Sequence, residues 1–187
     1  MDKKTIEQSI RQKQVEESIK QEFEQKLSER VARYLQVAHA GIIPYHYFAP
    51  ASTECILLFR DGHFYGCISL VQAVAEATVR LLCRKNLCSI AKEFEENVLV
   101  LFNRGIISEK LKNNFIEIWK DRNDYHHLNP KVPVDYNDLV KLAKTKISLL
   151  SEIEKDIFAY TIGNAGEIKP KYSKYWETEN QVYLRLE

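Results

Sequence analysis

Glycine and proline are scarce in this chain, six and five among 187 residues, and the scarcity excludes a fold of many short strands joined by tight turns. Glu, Lys, Leu, Ile and Gln are plentiful, so a mainly α-helical architecture is expected. No uninterrupted apolar run approaches the roughly 18 residues that a membrane span needs. The opening MDKKTIEQSIRQKQ also lacks the apolar core of a secretory signal. A cytoplasmic protein with no membrane contact is the expectation. An excess of charge of one sign is missing too: 27 basic residues stand against 26 acidic, a net charge of +1. No global positive field marks a nucleic-acid binder, so any RNA contact has to be local. Four cysteines, Cys55, Cys67, Cys83 and Cys88, lie in or beside apolar helical segments, where free cysteine acts as a small hydrophobe. The closest pair has four residues between its members, not the two of a C-x2-C zinc ligand pair. Neither a metal nor a cofactor is expected.

Hydrophobic residues make up 45% of the chain, enough for one buried core with an appendage. Three parts are expected: a long amphipathic helix over residues 1–40, a helical bundle over 41–160, and an aromatic-rich tail over 161–187. In the first part Ile19, Phe23, Leu27, Val31 and Leu35 recur every fourth position among Glu, Lys and Gln. Its first half is so polar that it reads as a helix projecting into solvent or packed on a partner subunit. GIIPYHYFAP, residues 41–50, reads as a packed connection.

Ser52 or Thr53 is expected to cap a short helix ending at Asp61-Gly62. One wide apolar face follows over residues 64–82. A further helix carries Ile90, Phe94, Val98, Leu101 and Phe102, and Gly105 stops it. Ser108 then caps SEKLKNNFIEIWKDRNDYHH, read as one helix that ends before Pro130. Asp135 or Asn137 starts a last long helix through Ile157. In the tail, Val182, Leu184 and Leu186 alternate as on a strand, in a hairpin or added to a partner.

The chemistry concentrates after Trp119. On an ideal helix Leu111, Phe115, Ile118 and Trp119 form an apolar stripe with Arg122 in its middle. A guanidinium there requires a partner, whether a carboxylate, a subunit interface or a bound phosphate. Asn123 follows at once, and His126 and His127 come a turn later. Histidine trades protons near neutral pH, and an arginine fork holds non-bridging phosphate oxygens and stabilises developing charge. The set therefore suits phosphodiester chemistry. Helix geometry favours His126, about 40° from Arg122, over His127, about 140° away.

Arg122-Asn123-Asp124-Tyr125-His126-His127 resembles the hallmark of the HEPN superfamily of helical nucleases: Arg, a polar residue often Asn, then His a few positions later. The family spacing fits His127 and leaves His126 as the competitor. FRDGHFYGCISLVQAVAEATVRLLCRK and RGIIS are also similar to segments of that family, and the likeness spans residues 52–158. It implies an all-α, HEPN-like bundle with a long N-terminal helix and a short extended or hairpin tail. The implied homodimer makes a composite cleft that cleaves RNA without a metal, through 2′-hydroxyl attack leaving a cyclic phosphate. His127 would be the general acid/base, Arg122 the phosphate ligand and Asn123 a positioner, with Asp121 or Glu117 orienting Arg122 or a histidine. A toxin or antiviral effector, with an antitoxin or defence-system partner, is the implied setting.

Two rival readings use the same residues. One is an inactive HEPN module that binds nucleotide or RNA, or serves as a scaffold. The other is an oligomeric interaction protein in which Arg122 makes a plain interface salt bridge. A metal held by His126, His127 and a cysteine is disfavoured, because adjacent residues on a helix diverge by about 100°. His39, His46 and His63 read as packing or capping residues. Tyr125 is either a base-stacking residue beside the motif or an ordinary surface residue.

Overall fold

The computed structural model describes residues 3–37, 41–130, 132, 135–176 and 182–184. His39 lies outside the described residues. The chain is mostly helical, in the order α1 (Lys3–Tyr34), β1 (Ile42–Pro44), α2 (Ala49–Asp61), α3 (Phe64–Lys85), α4 (Phe94–Asn103), α5 (Glu109–Trp119), α6 (Arg122–His126) and α7 (Tyr136–Ile157). Short strands β2 (Tyr160–Ile162), β3 (Ile168–Pro170) and β4 (Val182–Leu184) follow.

α3 is the centre of the body, packed by α2, α4, α5 and α7. Its buried side runs through Cys67, Ile68, Val71, Val74, Ala75, Val79 and Leu82, a repeat of three and four residues that keeps one face toward the core. Although no uninterrupted apolar run reaches span length, α3 is long and apolar enough to cross a membrane by composition, with a mean hydropathy of 1.4. Its role in the core accounts for this, since 56% of that stretch is buried among the other helices.

The caps at Ser108 and Asp135 are where local chemistry puts them. Ser108 Oγ accepts from the Leu111 amide at 3.2 Å. Asp135 Oδ1 accepts from the amides of Asn137 and Asp138 at 2.8 and 3.2 Å. Gly62 and Gly105 stop α2 and α4 with φ of 87° and 66°, a conformation that costs other residues a Cβ clash.

Several local expectations are corrected. α2 begins at Ala49 with Pro50 in its first turn, a position that needs no amide donor, so neither Ser52 nor Thr53 caps it. Ser52 instead sits one turn in, buried, and its hydroxyl donates to the Glu154 carboxylate on α7. Ile90 lies outside α4 and is exposed. β4 pairs antiparallel with β1 of the same chain, Ile43 opposite Tyr183. β2 and β3 form a hairpin, and Tyr175 beyond it is buried against the body.

α1 docks by its C-terminal end. Arg33 Nε donates to the Arg60 carbonyl at 2.8 Å, and Arg30 pairs with Asp61 at 3.1 Å. Upstream of this joint its apolar side chains, Ile19 and Phe23 among them, are exposed.

Candidate active site at the α5–α6 joint

α5 buries Leu111, Phe115 and Ile118, and Trp119 at its end stacks on Phe94 with ring centroids 4.1 Å apart. The helix then stops. Lys120 is extended (φ −51°, ψ 138°) and Asp121 is left-handed (φ 59°), so the single helix expected through His126 and His127 is broken in two. The local sequence KDRN contains no breaker; the cause is tertiary. Lys146 of α7, only 1% exposed, donates to the carbonyls of Glu117, Ile118 and Lys120 at 3.3, 2.7 and 2.9 Å. Gln72 of α3 donates to those of Ile118 and Lys120 at 3.1 and 3.3 Å. Helix C-termini leave their last carbonyls unpaired and carry partial negative charge, which a cation satisfies. Here two buried side chains take the acceptors that a continuing helix would have used.

Burial pulls the Lys146 ammonium down to about 8, against the opposing pull of the Asp121 and Glu117 carboxylates. Asp121 and Glu117, the acids expected to orient Arg122 or a histidine, both act electrostatically on Lys146, and Glu117 pairs with Lys120 at 4.0 Å.

α6 is a five-residue helix starting at Arg122. Tyr125 is its buried side chain, facing the Tyr65 ring at 6.3 Å, and burial raises its phenol above the ordinary value. It is thus an anchor rather than a surface residue. The helix closes with Leu128 left-handed (φ 48°) and the Asn129 amide donating to Asp124 O at 2.8 Å, a Schellman-type stop. Left-handed residues that are not glycine therefore bracket the motif on both sides, and such positions hold only where the surroundings over-determine them.

The break changes where the motif residues fall. Arg122 is half-buried, not on a core stripe. Its guanidinium carbon lies 4.7 Å from the centroid of the Trp119 ring, and Nη1 donates to Asn123 Oδ1 at 3.5 Å. Arg122 lies over the ring of Trp119, which itself stacks on Phe94, so the cation is held by a π face. Asn123, His126 and His127 are exposed. Because α6 starts at Arg122, His126 sits one turn above it on the same face. The pKa of His126 is lowered first by partial burial and then by Arg122 and His127, with Glu76 opposing. His127 stands just past the helix as its cap, its amide donating to Asn123 O at 3.1 Å.

The structure thus brings Arg122, Asn123 and His126 together most directly, with His127 beside them at the turn. A cluster of this kind can bind a phosphate through the guanidinium and move a proton through an imidazole that is neutral at pH 7.

Elsewhere, His46 is buried, with Nε2 2.9 Å from Tyr175 O, and burial lowers its pKa. His63 precedes α3 and makes no side-chain cap. All four cysteines are buried and none is in a disulfide, and burial drives Cys67 up to about 12, which leaves it inert as a thiolate ligand. Among the described residues no group of three or more His, Cys, Asp or Glu side chains gathers to hold a metal. A pocket of about 300 Å³ between Gly62, Tyr65 and Tyr136 adjoins the motif through Tyr65, which faces Tyr125.

Sequence reasoning missed Lys146 and Gln72. The signal was present: Lys146 falls on the α7 face shared by Leu139, Ala143, Ile147 and Leu150, the same anomaly of a charge on an apolar stripe that drew attention to Arg122.

No family model, curated protein or solved structure matches the chain.

Proposed function

We propose that the protein is a cytoplasmic, metal-independent endoribonuclease of HEPN type, with α6 supplying the reacting groups and a second copy completing a composite cleft. One observation carries the reading. Two buried polar side chains from separate helices, Lys146 and Gln72, are committed to breaking α5 so that Arg122, Asn123, His126 and His127 stand together at the surface. Buried polar groups are costly unless satisfied, and their use here fixes the orientation of exposed groups suited to proton transfer and phosphate binding.

In the proposed reaction an imidazole removes the proton of a ribose 2′-hydroxyl. The 2′-oxygen bonds to phosphorus as the bond to the 5′-oxygen breaks. The leaving 5′-oxygen takes a proton from an imidazolium of the same site, and the product carries a 2′,3′-cyclic phosphate. Arg122 holds the non-bridging oxygens where charge develops. His126, kept neutral by its surroundings, suits the base; resemblance to the HEPN motif assigns His127 the acid/base role. Single-histidine variants separate the two. A toxin or antiviral effector, restrained or recruited by an antitoxin or defence partner, is the setting that the same resemblance supplies.

Purified protein incubated with single-stranded RNA tests the proposal. Cleavage is expected from the wild type and lost in Arg122→Ala; cleavage that persists in Arg122→Ala, His126→Ala and His127→Ala alike removes α6 as the active site. A second reading, a non-catalytic RNA-binding or scaffold module of the same fold, is favoured by the engagement of Arg122 with Trp119. Under it RNA binds without being cut.

A further inference from the structure

Two of the four cysteines meet where α3 ends. The helix closes over Leu87, which is left-handed (φ 53°). The Leu87 amide donates to Arg84 O at 3.2 Å, and the Cys88 amide donates to Cys83 O at 2.9 Å. This pair of bonds over a left-handed residue is a Schellman stop, which folds the chain back on the last turn and sets the side chain of its final residue against that of the residue five before it. Here those two side chains are Cys88 and Cys83. A disulfide needs Cα atoms about 4.4–6.8 Å apart and side chains turned toward each other; a direct backbone hydrogen bond between two residues folded face to face supplies both. The turn is also held from outside, since Asn86 Nδ2 donates to Leu82 O at 2.7 Å and to the Tyr175 hydroxyl at 3.1 Å.

The two sulfurs are not equivalent. Cys83 is fully buried, whereas Cys88 keeps 8% of its surface exposed. Arg104, which caps α4, donates from Nη1 to Cys88 Sγ at 3.4 Å, and a guanidinium beside a sulfur favours the anionic form in which a thiol reacts. Burial pushes the Cys83 thiol up, Cys88 adds to the rise and Arg104 opposes it. Each sulfur therefore feels the other and the same cation. Cys67, by contrast, responds to burial alone.

We infer that Cys88 and Cys83 form a peroxide-responsive dithiol, in which Cys88 reacts first beside Arg104 and Cys83 closes a disulfide across the turn. The Cys88 sulfur attacks one oxygen of a hydroperoxide; the O–O bond breaks, and the departing oxygen leaves with the proton that Cys88 gave up. The sulfenic acid so formed is attacked by Cys83 Sγ. The S–O bond breaks, and the hydroxyl leaves as water with the Cys83 proton. Two thiols lose two electrons, and one hydrogen peroxide becomes two waters. Exchange with an external thiol reverses the bond. The inference needs nothing from the chemistry of α6 and stands without it.

Hydrogen peroxide added to the reduced, native full chain tests it, with remaining thiols alkylated on denaturation and the chain cut by trypsin at Arg84 and Lys85, between the two cysteines. The intact mass is expected to fall by two hydrogens. One linked pair of peptides, residues 81–84 joined to 86–92, is expected, released by dithiothreitol, while Cys55 and Cys67 are alkylated. In Cys83→Ser the resolving thiol is gone, and dimedone is expected to label Cys88 as its sulfenic acid; in Cys88→Ser, Cys83 is expected to stay unlabelled. A wild type in which Cys83 and Cys88 are both still alkylated after peroxide, a link that engages Cys55 or Cys67 instead, or labelling of Cys83 in Cys88→Ser as fast as that of Cys88 in Cys83→Ser overturns the inference.

Discussion

The ammonium of Lys146 lies 2.7 Å from the backbone carbonyl oxygen of Ile118, so a buried cation from α7 ends α5 and sets the direction in which α6 leaves it. Replacing Lys146 with Met removes the donor and leaves buried carbonyls short of partners. The expected loss of stability is about 1–3 kcal/mol, read as a lower urea midpoint. Amide exchange across residues 121–128 is expected to accelerate at the same time. Unchanged exchange there would show that Gln72 alone holds the joint.

The same lysine gives a pH signature. Burial lowers its folded-state pKa from 10.5 to about 8, so the folded chain releases this proton before the unfolded chain does. Between these values the unfolded state binds more protons, and stability from this group rises with pH. The gain is absent below about pH 8 and complete above about 10.5, on the order of 3 kcal/mol. Unfolding of the wild type and of Lys146→Met at about pH 7.5 and about pH 10 checks it. The wild type is expected to gain relative to the variant at the higher pH; a constant difference contradicts it.

His126 is the imidazole that Arg122 influences directly. Its pKa lies below the ordinary 6.5, with partial burial as the first cause and Arg122 the next. Arg122→Gln is expected to raise it while leaving it short of 6.5, because the burial contribution stays. Proton NMR titration of the His126 ring reads this. An identical titration in the variant would mean that the guanidinium does not act on this ring.

Asp121 holds the left-handed turn at φ 59°. Asp and Asn tolerate this region and β-branched residues do not. Asp121→Asn is expected to be near neutral and Asp121→Val to cost about 1–2 kcal/mol, measured by thermal or urea unfolding. Equal stability of the two would show that the turn relaxes to another conformation.

The parts of the fold that were legible in the sequence are those governed by local pattern. α1, α3 and α7 announce themselves by apolar spacing, and Ser108 and Asp135 by cap chemistry one turn before an apolar run. The break after Trp119 was not legible, because Lys120, Asp121 and Arg122 are all compatible with a helix and the interruption comes from Gln72 and Lys146, 48 and 26 residues away from Lys120. Extending the ideal helix through the break placed Arg122 on the core stripe. Restarting it at Arg122 moves that side chain onto Trp119, while His126 keeps the place on Arg122's face that ideal helix geometry already gave it. The composition of the motif could be read from the chain, whereas its geometry depended on residues that local pattern does not connect to it.

End-group analysis of single-stranded RNA incubated with the purified chain in excess chelator shows whether α6 cuts RNA by its own side chains. The expected result is cleavage leaving 2′,3′-cyclic phosphate termini, reduced at least about a hundredfold, the usual scale for a lost catalytic group, in Arg122→Ala. Intact RNA with the wild type, or equal cleavage by the wild type and Arg122→Ala, would contradict it.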